Sequence, residues 1–130
     1  MSDGASPKSD RVWEGTLDHE RLDAYRVAVE FDDLVVQIVR RSGRGHGWLC
    51  DQAHRASGST VLNLAEAVGR EGADRARCIR IARGSVLEAD AAVTLLDHRG
   101  VCSSADRARA RQLVGRLAAM LTKLIASAVR

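Results

Sequence analysis

Pro7 is the only proline, so no proline interrupts the chain from residue 8 to residue 130. A stretch that long, free of the strongest helix breaker, is permissive for long helices. β proteins lean on aromatic and β-branched residues and on Pro/Gly turns at short intervals. This sequence has four aromatic residues (Trp13, Tyr25, Phe31 and Trp48) and is dominated by Ala, Leu, Val and Arg. The apolar residues settle the class. Val27, Phe31, Leu34 and Ile38 recur at spacings of 4, 3 and 4, with Ala24 and Val35 widening the face. This pattern predicts a first helix from about Glu20 to Arg41.

The glycine-rich run SGRGHG follows, a helix stop and a flexible loop. A second helix is expected from about Trp48 to Gly69. Its stripe is small and partly polar: Leu49, Ala53, Ala56, Thr60, Asn63 and Ala67. Gly58 sits in its middle, marking either a kink or close packing, of which close packing is the commoner reason. A third helix is expected from about Ala73 to Arg99, where Ile79, Ala82, Val86, Ala89, Val93 and Leu96 keep a 3-4 rhythm. Gly100 stands at its expected stop. Ser103, with Asp106 three residues on, forms a weak capping box for a fourth helix, Ser104 to Ala128. That helix carries a seam of Ala110, Leu113, Leu117, Met120 and Leu124. A second strip of Val114, Leu121 and Ile125 predicts a further buried surface, either self-association or a thicker single core.

Four long helices with short connections make an all-α, antiparallel, up-down-up-down four-helix bundle. At 130 residues the chain is one domain. Residues 1–18 read as a flexible tail, and residues 19–130 as the bundle. No apolar run is long enough to cross a membrane. The first residues lack the apolar core of a secretory signal, and three widely spaced cysteines suggest neither a disulfide framework nor a zinc ribbon. The expectation is a cytoplasmic protein without metal or cofactor.

Charge is uneven. Residues 1–39 carry a balance of −5, residues 40–83 of +5 and residues 84–130 of +3. Of the 20 basic residues 18 are arginine, the side chain better shaped for phosphate. In an antiparallel bundle Arg107 and Arg109 come near Arg40, Arg41 and Arg44, concentrating positive charge at one pole. Those five, with Arg55, are the candidate nucleic-acid contacts. The competing reading is a solvated arginine face that pairs with the acidic first helix of a neighbour. Cys50 and His54 share a helix face near His46, but no matching ligands come from elsewhere. No nucleophile, phosphate-loop or metalloprotease pattern occurs, so nothing in the sequence points to an enzyme. Asn63 and Glu66, with Arg70 at i+4 from Glu66, read as a structural polar pair or as a ligand site.

Several motifs resemble one family. They are Leu22-x-x-Tyr25-x-x-Ala28-x-x-Phe31, Asp51-Gln52-x-x-Arg55-Ala56, Asn63-Leu64-Ala65-Glu66, Gly69-Arg70 and Ile81-Ala82-Arg83-Gly84-Ser85-x-x-Glu88. The chain resembles, across roughly residues 17–125, the bacterial four-helix bundles named for the 23S rRNA intervening sequence. The resemblance implies a homopentameric ring and gives Asn63, Glu66, Arg70, Ser85 and Glu88 a place in the family pattern. It also implies kinship with the accessory variability protein of diversity-generating retroelements, a basic barrel that binds nucleic acid and associates with a reverse transcriptase. The expected function is a nucleic-acid-binding or ribonucleoprotein accessory role. The alternative is a protein-interaction scaffold with no nucleic-acid role.

Overall fold

The computed structural model describes residues 19–129. The expected N-terminal tail, 1–18, lies outside them. Four α-helices make up the described chain: α1 (His19–Arg41), α2 (Gly47–Ala67), α3 (Gly72–His98) and α4 (Ser104–Ala128). Among the described residues there are no strands. The all-α expectation is borne out, and each helix lies within two residues of its expected limits.

Local chemistry sets the ends. At Gly100 the backbone turns to φ 76°, a left-handed conformation a side chain would resist. The Gly100 N–H then reaches the Asp97 carbonyl at 2.9 Å and the Val101 N–H reaches the Leu96 carbonyl at 3.1 Å, closing the end of α3. The Ser103 hydroxyl accepts the Asp106 N–H at 3.0 Å, capping α4. The Asp106 carboxylate takes Arg41 of α1 at 3.1 Å, so it ties two helices together. Between α1 and α2 the chain turns through Gly43, at φ 71°.

Each helix packs chiefly against two neighbours, in the cycle α1–α2–α3–α4–α1. Across α2 and α3 the partners are Ala67 with Arg75, Ser59 with Ser85 and Gln52 with Glu88. Across α3 and α4 they are Asp90 with Arg107 and Arg83 with Thr122. Across α1 and α4 they are Glu20 with Lys123, Glu30 with Arg109 and Arg41 with Asp106. In each set, residue numbers rise on one helix as they fall on the other.

The core follows the stripes. Val27, Phe31, Leu34 and Ile38 of α1 are buried, as is the whole Ile79-to-Leu96 series of α3. In α2 the stripe needs one change. Asn63 is only half buried, while Ser57 is fully buried and donates to Asp32 of α1 at 2.6 Å. The second strip of α4 decides between its two readings. Val114, Leu121 and Ile125 are buried within this one chain, because α4 lies against both α1 and α3. The strip thickens a single core and leaves no second surface on α4.

The apolar side chains that do remain exposed lie mainly on α2 and α3: Trp48, Leu62, Ile81, Leu87 and Leu95. Gly58 belongs to the same outward region. A Cβ there would meet nothing within 4 Å, so packing inside the subunit does not account for this glycine. Helix α2 runs through it without a break. Among the described residues, no helix is long and apolar enough to cross a membrane.

Candidate functional site

Two loops meet at one end of the four helices, residues 42–46 and 99–103. The end of α1 brings Arg40 and Arg41, the first loop brings Arg44, and the start of α4 brings Arg107 and Arg109. The Arg41–Asp106 pair shows that the α1 end and the α4 start meet, as the bundle geometry predicts. The six expected nucleic-acid arginines then divide.

Arg40, Arg44 and Arg55 are exposed, and no ion pair holds them among the described residues. Arg41 is exposed but already paired with Asp106. Arg109 is held by Glu30 of α1 and Gln112. Arg107 turns inward: its side chain is only 11% exposed and donates to Asp90 at 2.8 Å. A guanidinium this enclosed bridges α3 and α4 and offers little to a phosphate. Its Nε is buried without a partner among the described residues. Arg55 stands apart from the pole, two turns into α2. It lines an open groove with Asp51, His54, Ser59, Leu62 and Asn63.

One cation of the pole is missing from the expected set. Arg99, the last residue before Gly100, is exposed, with its guanidinium carbon 5.6 Å from the centroid of the Trp48 ring. The two residues are 51 positions apart and meet because α2 begins where α3 ends. The signal was the register: partners of α2 and α3 run to higher numbers on one helix as they fall on the other, so the first turn of α2 lies by the end of α3.

The polar motif residues form a line along the outside of the α2–α3 seam. Asn63 donates to the Ser59 carbonyl at 2.9 Å and to the Ser59 hydroxyl at 3.1 Å. The Ser59 and Ser85 hydroxyls lie 3.0 Å apart, and Gln52 donates to Glu88 at 3.0 Å. At the far end Arg70 bridges Glu66 at 3.1 Å and Asp74 at 3.4 Å. The Glu66 hydrogen bond, then the Asp74 charge, hold the Arg70 guanidinium above its ordinary pKa. Ser85 and Glu88 thus join α3 to α2, and Arg70 with Glu66 braces the turn between them, while Asn63 supports Ser59 from within α2; together they form a clasp. Their partners Gln52, Ser59 and Asp74 complete it.

A family model described as 23S rRNA-intervening sequence protein matches residues 20–123. The chain belongs to this family. The match spans all of α2 and α3 and nearly all of α1, and it reaches into the last turns of α4. It thus includes both loops of the arginine pole and the whole α2–α3 clasp. No match to a curated protein was found.

His46, Cys50 and His54 follow one another near the start of α2. Even so, no group of three His, Cys, Asp or Glu side chains among the described residues is placed to hold a metal ion. Cys50, Cys78 and Cys102 are free and buried. Burial raises the Cys102 thiol pKa, the Asp106 and Asp97 charges add to the rise, and Arg107 opposes it. A neutral, enclosed thiol is a poor nucleophile.

Proposed function

We propose that this family member is a non-enzymatic accessory protein of the cytoplasm that binds the phosphates of RNA or DNA through its arginine pole. The observation that carries this is the set Arg40, Arg44 and Arg99. All three are exposed around the two adjoining loops, and none has a carboxylate partner among the described residues. Unpaired, solvated guanidinium groups can exchange their counterions for phosphates without first giving up an internal ion pair. The three free cysteine thiols suit a reducing compartment.

The reading extends to the assembly. The reversed register of partners across the helix pairs supports an antiparallel up-down-up-down bundle. The exposed Leu62, Ile81 and Leu87, with open Gly58 and Gly84 beside them, supply an apolar face for contact between copies. The homopentameric ring expected of this family would close through that face and gather several arginine poles. The same face supports the second reading, a scaffold for another protein such as a reverse transcriptase, with no nucleic-acid role.

Titration of labelled structured RNA and duplex DNA by fluorescence anisotropy tests the proposal. If three arginines neutralise three phosphates, affinity falls about forty-fold between roughly 50 and 200 mM salt. Each further subunit engaged steepens the dependence. With Arg40→Ala and Arg44→Ala together, the slope of log affinity against log salt drops to about a third, however many subunits take part. Absence of binding at low salt would reject the proposal and put the scaffold reading in front.

A further inference from the structure

The tryptophan at the arginine pole has no role in the packing described above. Trp48 is 60% exposed, and it stands in the first turn of α2. Tryptophan is costly to leave in water, since it buries more apolar area than almost any other side chain when it can. The loop before it carries Gly43, Gly45 and Gly47, where an added Cβ would meet nothing within 4 Å. Arg99 lies over the indole, and Arg44 stands four positions before it in the loop. A ring this exposed, with one cation over one face and a second nearby in the chain, fits one kind of ligand well: a nucleobase on the remaining face with its phosphates beside it.

We infer that Trp48 is the stacking platform for an unpaired base, with Arg44 and Arg99 holding the adjoining phosphates, so that the pole prefers single strands to duplex. This rests on the nucleic-acid reading above. Inside a duplex the faces of a base are already covered by its neighbours. Only an unpaired or splayed base can reach the ring. Stacking reads any base, so the preference is for strandedness rather than for sequence.

The test uses the full chain carrying Trp13→Phe, which leaves Trp48 as the only indole. The probes are an oligothymidylate of about ten nucleotides, within the usual range for single-strand sites, and a duplex of similar length. Binding of the single strand should quench Trp48 emission saturably, and the duplex should quench it little. Trp48→Ala should weaken single-strand binding roughly ten-fold, while changing duplex binding by less than about two-fold. Trp48→Phe should recover part of the loss, and Arg44→Ala should weaken both ligands. Single-strand binding that survives Trp48→Ala without loss, or occurs without quenching, overturns the stacking role and leaves the phosphate reading standing. Failure of both ligands to bind at low salt overturns both readings. Truncation at Trp48 removes little from the core, and an unchanged helical spectrum for Trp48→Ala verifies that the variant is folded.

Discussion

Removing the Ser57 hydroxyl should loosen α1 from α2 by an amount the structure lets us work out. Ser57 is fully buried, and its Oγ donates to the Asp32 carboxylate at 2.6 Å, a short bond to a charged acceptor. The hydroxyl also reaches the His54 carbonyl at 3.2 Å, and the shorter contact to the carboxylate is the stronger share of the bond. A hydrogen bond to a charged group contributes about 1.5–3 kcal/mol. Two effects reduce that in Ser57→Ala. Asp32 is half exposed, so its carboxylate regains water. Alanine is also the better helix former, by about 0.5 kcal/mol. The cavity left by one oxygen is small. The net loss should be about 1–2 kcal/mol. In urea denaturation followed by circular dichroism, that lowers the midpoint by roughly 0.3–2 M with the slope unchanged. Protomer concentration is held fixed in case of assembly. The cycle of Ser57→Ala, Asp32→Ala and the double variant should give a coupling of about 1 kcal/mol or more. Coupling below about 0.3 kcal/mol, the level of independent sites, would show that the bond does not hold the helices together.

Phe31 is wholly buried at the centre of α1, so Phe31→Ala should cost about 3–5 kcal/mol, measured by the same urea titration. Leu62 is 70% exposed and Ile81 lies on the adjoining helix, so Leu62→Asp with Ile81→Asp should leave the monomer folded. If the proposed ring closes through this face, sedimentation should show the wild type as an oligomer and the variant as a monomer, and an unchanged mass would reject this face as the contact between copies. Cys102 should alkylate slowly near pH 8, followed peptide by peptide in a mass spectrometer, since burial keeps its proton on. Its folded pKa lies above the unfolded one. Its contribution to stability is therefore full below the unfolded value, and is lost as pH rises from roughly 8.5 through the folded value.

Much of this was legible in the residues. Gly100 and Ser103 define ends because their conformational and capping preferences act within a few residues, and both act as the sequence predicts. Helix stripes are equally local, because every fourth residue shares a face regardless of what lies opposite. The arginine pole was only partly legible. Sequence could place Arg107 at the right end but not see that Asp90 draws it inward, since that depends on how α3 and α4 are rotated. Arg99 escaped notice for the same reason: its partner is an indole on another helix.

By itself, then, the sequence determined the four helices, their limits, the all-α class and nearly every core position. Periodicity, propensity and capping are properties of neighbouring residues in one chain. Tertiary structure alone decided which arginines stay free and that the second strip of α4 is spent on the core. It also decided that the apolar surplus lies outward on α2 and α3. Each of these depends on the facing of one helix against the next. Facing is fixed by contacts between residues tens of positions apart, such as Ser59 with Ser85 and Glu30 with Arg109.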